Sequence, residues 1–276
     1  MSCAPASPRL EMLVSTLGRA GIERLAARSL PRLDGLRWTV VWQCPQGELP
    51  AALQRDDMRV VGSPERGLSR SRNMALGLAE ANLAAICDDD IDYRAADLER
   101  LIEAMERRPE ALIAFRIDVA GSAIRYPQRE CSLEKLAADY WLRSCEIALR
   151  PAALREAGIR FNENFGLGSP FFQSGEEDIL RIDILRAGLG TAFLPIEIGS
   201  HCGESTTGMR RNSRYWQAKG AVTMYIHPRT WMLRLLRFGP AAWIHGCSGA
   251  FTALRRRVFS RACGVSVMNA DRGTAG

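Results

Sequence analysis

This sequence is poor in the residue types whose clusters usually announce a cofactor or metal centre. In 276 residues it has three histidines, at 201, 227 and 245, and only two lysines, Lys135 and Lys219. Its eight cysteines are scattered at 3, 44, 87, 131, 145, 202, 247 and 263, and no two make a C-x-x-C pair. That spacing excludes a zinc ribbon or a thioredoxin-type redox motif. Residues Met1–Leu10 hold prolines at 5 and 8 and one arginine but no apolar run. They do not read as a secretory leader, so the expectation is a cytoplasmic protein with reduced thiols.

What is present describes a globular chain. Apolar residues make up 47% and charged residues 25%, which excludes intrinsic disorder and a collagen-like repeat. The length suits one large domain or two small ones. The net charge of +6 is local: Pro228 to Cys263 contains seven arginines (229, 234, 237, 255, 256, 257 and 261) and no acid. Without them the chain has 30 basic against 31 acidic side chains, so the body is near neutral and the tail is basic.

Apolar runs alternate with helical patterns through the first half. Met12–Leu17, Leu36–Cys44, Met58–Val61, Leu83–Cys87 and Ala111–Ile117 read as strands, and Arg19–Ser29, Ser71–Glu80 and Asp97–Arg107 as helices. This alternation predicts an α/β domain with a mostly parallel central sheet, with its chemistry beyond the carboxyl ends of the strands. From Leu133 the pattern turns helical, then loops through Phe161–Ser174. A helix follows over Ile179–Ala187, closed by Gly188, and a late strand, Ala192–Ile198, leads to His201.

Four segments could carry chemistry. Cys87-Asp88-Asp89-Asp90-Ile91-Asp92 crowds carboxylates at a strand end, where hard oxygen ligands suit Mg²⁺ or Mn²⁺; a solvated helix-capping turn is the alternative. Gly175-Glu176-Glu177-Asp178 opens a helix, where acids serve either the helix dipole or general-base chemistry. The glycine-rich Phe165–Ser169 before it could admit a ligand closely or simply form turns. Gly67-Leu68-Ser69-Arg70-Ser71-Arg72-Asn73 could hold phosphate oxygens at a helix start, although it is neither a P-loop nor G-x-G-x-x-G. His201 stands after a strand, ahead of Ser205 and the pair Arg210 and Arg211, in a loop that could close over a diphosphate; a hydrogen-bonded structural histidine, the commoner role for one in such a place, is the alternative.

The order of these motifs resembles the family 2 inverting glycosyltransferases, which have the GT-A (Rossmann-like) fold and use nucleotide-sugar donors. The resemblance covers roughly residues 10–225. It implies that Asp88 and Asp90 form the family's D-x-D pair, with Asp90 on the metal, Asp88 on the ribose or metal shell, and His201 as a further metal ligand. Glu177 falls where the family has its catalytic base, with Glu176 and Asp178 as near alternatives. Thr16, Gln43, Arg72, Asn73, Asp89, Arg210 and Arg211 are implied at the donor, and Gly168 and Ser169 at the acceptor. Where many members carry D-G-S-x-D, this chain has Trp42-Gln43-Cys44-Pro45, so the nucleotide is left open. Asp183 stands where an arginine is common.

The activity implied is a metal-dependent, hexosyltransferase-type transfer, with Mn²⁺ or Mg²⁺, from a nucleoside-diphosphate sugar to a glycan or lipid-linked acceptor. Its setting would be cell-surface polysaccharide synthesis. The expected layout is a GT-A domain over 1–226, with a donor half at about 10–120 and an acceptor half at about 121–226, followed by an Arg-rich amphipathic extension over 227–276. Gly239–Leu254 is too short for a confident bilayer span. The extension reads either as an interfacial segment on an anionic leaflet or as helices packed on the domain with a solvated basic face. The resemblance favours membrane contact, on the cytoplasmic face of the inner membrane. Two other classes compete. A sugar nucleotidyltransferase would want a basic glycine-rich loop after the first strand, which is missing. A non-catalytic polyanion binder would leave the acidic clusters without a role, and no nucleic-acid partner is expected.

Overall fold

The structure is a computed structural model that describes residues 8–119, 124–134, 142–201 and 212–259. Eight helices and nine strands are described, and the strands form one sheet. Strand β1 (Leu10–Leu17) lies between β2 (Leu36–Gln43) and β4 (Leu83–Cys87), with β3 (Met58–Ser63) outside β2, all parallel. Each of β1, β2 and β4 is buried along nearly its whole length, which explains why they read as continuous apolar runs rather than alternating ones. Helices α1 (Gly18–Ala26), α2 (Leu68–Leu78) and α3 (Ala95–Glu106) occupy the expected places, each within a few residues of its expected ends.

Beyond β4 the sheet departs from simple alternation. The short strand β8 (Ile147–Leu149) pairs antiparallel with both β4 and β6 (Leu112–Val119), and β6 runs parallel to β9 (Thr191–His201). Two-residue strands β5 (Ile91–Asp92) and β7 (Cys131–Ser132) pair antiparallel with β9. The helical expectation from Leu133 is therefore corrected. Among the described residues that stretch gives a 3₁₀ turn at Ser144–Glu146, β8, and only then a short helix, α4 (Pro151–Glu156). Three residues cannot reveal a strand by periodicity; β8 is a strand because β4 and β6 offer it edges on both sides. The mostly parallel α/β sheet expected from the sequence is what the structure has.

Two apolar layers cover the sheet. One packs α1 and α3 beneath Trp38, Tyr93 and Phe115, the other packs α2 with α5 (Glu176–Arg186) around Phe161, Leu180 and Phe193. A third cluster joins Phe165, Phe172 and Ile179 to α6 (Ser213–Ile226), α7 (Trp231–Leu236) and α8 (Pro240–Arg255). The described part of the C-terminal extension is thus packed against the domain. No helix among the described residues is long and apolar enough to cross a membrane.

Candidate active site

The carboxyl ends of β1 and β4 lie side by side where the strand order reverses, since β2 and β3 extend the sheet on one side of β1 and β4 on the other. That reversal opens the crevice in which α/β sheets place their ligands. The register pairs Val14 with Cys87, so Ser15 and Thr16 stand beside the acids that follow β4. The Thr16 hydroxyl donates to Asp89 Oδ2 at 2.6 Å, and Arg24 Nε donates to Asp89 Oδ1 at 2.8 Å. Burial nonetheless raises the Asp89 carboxyl above its ordinary value. Gly21 makes the contact sterically feasible: a Cβ there would stand 2.4 Å from the Thr16 hydroxyl oxygen.

Asp88 and the acids at the start of α5 meet through one side chain. The Arg72 guanidinium, 1% exposed, donates to Asp88 Oδ1 at 3.3 Å, Glu176 Oε1 at 3.1 Å and Glu177 Oε1 at 3.3 Å. Ser144 donates to the other Asp88 oxygen at 3.3 Å. Burial raises both glutamates above their ordinary value, Glu177 further because Glu176 lies beside it, while Arg72 draws them down. Glu176 is the more enclosed of the two, with Oε2 buried and unpartnered, whereas the Glu177 side chain is 15% exposed. Asp178 faces elsewhere, 3.8 Å from Arg181.

The α5 start depends on backbone geometry. Gly175 is the N-cap at φ 99°, in the left-handed region, and a Cβ there would meet Val222 of α6 at 2.5 Å. The glycine-rich loop before it locks onto the start of α2. Ser69 donates to the Phe165 carbonyl at 2.6 Å and the Leu68 amide to the Leu167 carbonyl at 2.9 Å.

Asp90 and His201 are also brought together. Pairing of β5 with β9 sets Ile91 opposite His201, and His201 Nε2 lies 3.2 Å from Asp90 Oδ2. Two ligands at right angles on an ion with bonds of about 2.1 Å stand about 3 Å apart. The chemistry and spacing of this pair therefore fit a hard divalent cation. No group of three ligating side chains converges among the described residues, so water and ligand oxygens would complete such a shell.

Several implied donor and acceptor residues have other occupations. Asn73 Nδ2 donates to the Phe161 carbonyl at 2.9 Å and to Glu163 at 3.1 Å, and its Oδ1 accepts the Phe161 amide at 2.8 Å. It secures the loop across from α2. Gln43 Oε1 accepts the Gly67 amide at 2.9 Å, and Arg72 is spent on carboxylates rather than left open for phosphate. The Gly168 amide donates to Gln173 Oε1 at 3.1 Å and the Ser169 hydroxyl to the Phe172 carbonyl at 2.5 Å, both within their own turn. Arg210 and Arg211 lie outside the described residues. Arg24 and Ser144 were not marked by any sequence pattern; each reaches the acids from a distant segment.

Fold and site together define an α/β protein of the GT-A type, with an acidic crevice at the carboxyl edge of its parallel strands. Residues 47–168 match the model of glycosyl transferase family 2, bearing out the resemblance seen in the motifs. That stretch contains Arg72 and Asp88–Asp90 but ends before Glu176 and His201. The solved structure of S. aureus TarS residues 1–349 in complex with UDP-GlcNAc superimposes with a TM-score of 0.59, at 15% identity over 91% of this chain and 83% of that one. Another crystal structure of the same fragment gives a TM-score of 0.57 at 12% identity, over 90% of this chain and 92% of that one. At such identities the likeness is one of fold. No curated protein sequence matches the chain.

Proposed function

We propose that this protein is an inverting, metal-dependent glycosyltransferase that moves a sugar from a nucleoside diphosphate to a hydroxyl of a glycan or lipid-linked acceptor, in the assembly of a cell-surface polysaccharide. One observation carries the reading: Arg72 bridges Glu177 at the start of α5 to Asp88 at the end of β4. A candidate base and a candidate donor-side acid thus flank one crevice. The family match and the TarS fold, a fold solved with UDP-GlcNAc and with UDP, support a nucleotide-sugar donor.

In this reading Glu177 accepts the proton of the acceptor hydroxyl as its oxygen attacks the anomeric carbon. The bond to the diphosphate breaks on the opposite face, so one displacement inverts the configuration. Burial favours this assignment because it raises the proton affinity of Glu177. Arg72 keeps the carboxylate directed at the crevice, and Glu176, more deeply enclosed, fixes Arg72 from behind. Asp90 and His201 would hold Mn²⁺ or Mg²⁺, which would supply positive charge to the departing diphosphate. Thr16 and Arg24 hold Asp89 at the donor end.

Thermal shift with UDP, GDP, CDP and dTDP, with and without Mn²⁺, tests the reading. One nucleotide is expected to stabilise the wild type only when Mn²⁺ is present, by about 2.7 kcal/mol at a hundredfold excess over its dissociation constant. Asp90→Ala should abolish that effect while leaving the unliganded Tm nearly unchanged. A folded protein stabilised by none of the four would overturn the nucleotide-sugar assignment.

A further inference from the structure

The packing of α6, α7 and α8 leaves one face open to solvent, and its chemistry is unlike the rest of the surface. Nine large apolar side chains are exposed among the described residues, and six of them lie on α7 and α8: Met232, Leu233, Leu236, Ile244, Phe251 and Leu254. Leu233 is 70% exposed, Ile244 59% and Phe251 55%. Scattered singly, such residues would mean little, but here six fall on two helices that pack together. The rings of Phe251 on α8 and the buried Trp231 on α7 pack T-shaped with centroids 5.9 Å apart, which ties the two helices together.

The orientation of α8 is fixed by close backbone contact. A Cβ on Gly220 would stand 1.9 Å from the Gly246 carbonyl oxygen, and one on Gly249 would stand 2.0 Å from the Gln217 carbonyl oxygen. Ala242, Gly246, Gly249, Ala250 and Ala253 therefore face inward. Ile244, Phe251 and Leu254, at helical spacing, point out. The helix is apolar on both sides yet only 16 residues long.

Charge completes the pattern. From Asn212 to Phe259 the chain contains no aspartate or glutamate. Arg229, Arg234, Arg237, Arg255, Arg256 and Arg257 are exposed on the same helices and the turns that flank them. A second copy of the same face would bring two arginine-rich, acid-free surfaces together, whereas an anionic lipid surface offers headgroups to the arginines and acyl chains to the leucines, Ile244 and Phe251.

We propose that the α7–α8 face is a docking surface for an anionic lipid bilayer, on which it lies in the interface without crossing. This is independent of the catalytic reading, since neither the arginines nor the apolar residues belong to the crevice. The cap of α5 rests on Val222 of α6, so the candidate base is one helix layer from the docked face.

Flotation of the full chain with vesicles tests this. Wild type is expected to float with phosphatidylglycerol–phosphatidylcholine vesicles and to stay unbound with phosphatidylcholine alone. Replacing Arg255, Arg256 and Arg257 by Gln should lower partitioning about 100-fold. Replacing Leu233 and Ile244 by Ser should lower it at least about tenfold. Leu233 and Ile244 are exposed, so an unchanged melting curve should accompany the loss on their replacement. Absence of flotation by wild type, equal binding to neutral vesicles, or full binding after the apolar replacement would each overturn the proposal. So would a stable dimer in solution that the Leu233 and Ile244 replacements dissociate, since a second copy would then own the face.

Discussion

At Arg72 a buried guanidinium faces Asp88, Glu176 and Glu177 at hydrogen-bonding distance, with Phe161 beneath its plane and its Nε unpartnered. Three carboxylates this close repel one another, and a single cation offsets that repulsion where water cannot. Arg72→Met should therefore destabilise the protein by about 3–5 kcal/mol, read from urea unfolding near neutral pH, because it strands buried charge. Arg72→Lys should fall between, since an ammonium lacks the planar fork that reaches several oxygens.

Glu177 carries the pH dependence at this scale. Burial and the neighbouring Glu176 hold its carboxyl well above the ordinary 4.5, so stability is lost as pH rises from 4.5, and the full cost of the ionised form is present once pH exceeds the folded value. That cost is absent below 4.5, where folded and unfolded chains are both protonated. Glu177→Gln should therefore melt higher than wild type at alkaline pH, and the gap should close as pH falls toward the ordinary glutamate value. Transfer by the same variant should fall about 10²–10⁴-fold. Superimposable melting curves across that pH range would show that Glu177 is not held in its ionised form at a cost.

At the scale of elements, the glycines divide by what surrounds them. Gly220 and Gly249 let α6 and α8 cross with their backbones nearly touching, while a Cβ on Gly77, near the end of α2, would meet nothing within 4 Å. Gly220→Ala must push the helices apart and should cost at least about 1–3 kcal/mol. Gly77→Ala meets no obstacle and should stabilise by roughly 0.5–1 kcal/mol through helix propensity. Denaturant titration of the two variants should give opposite signs. Gly175 has two constraints at once, its left-handed φ and the Val222 contact, so the start of α5 and its acids rest on a residue without a side chain.

Across the whole molecule, the third apolar cluster ties the C-terminal helices to the crevice. Trp231, Leu235, Ala250 and Ala253 share it with Phe165, Phe172 and Ile179, which flank the glycine-rich loop and α5. A chain ending at Ile226 would bare that cluster. It should lose the cooperative thermal transition of the full chain, bind dye that reports exposed apolar surface, and fail to respond to nucleotide. A truncated chain that melts cooperatively and retains nucleotide stabilisation would mark residues 227 onward as an independent extension.

The acids were legible in the sequence because each set is local: Asp88–Asp90 follow an apolar run at a strand end, and Glu176–Asp178 follow a glycine at a helix start. The parallel strands were legible for the same reason, since burial on both faces leaves continuous apolar runs. By itself the sequence thus determined the fold class, the two acidic clusters and the basic tail, all features of short-range pattern. Tertiary structure alone decided how they are joined. Arg72 reaches acids 104 and 105 positions away, the two-residue strand β5 delivers His201 to Asp90, and Asn73 and Gln43 are taken up by loops. It also decided that α8 turns one apolar face inward and one outward. The physical reason is common to all of these: a side chain's partners depend on which distant segments the packed core brings within a few ångströms, and no periodicity along the chain records that distance.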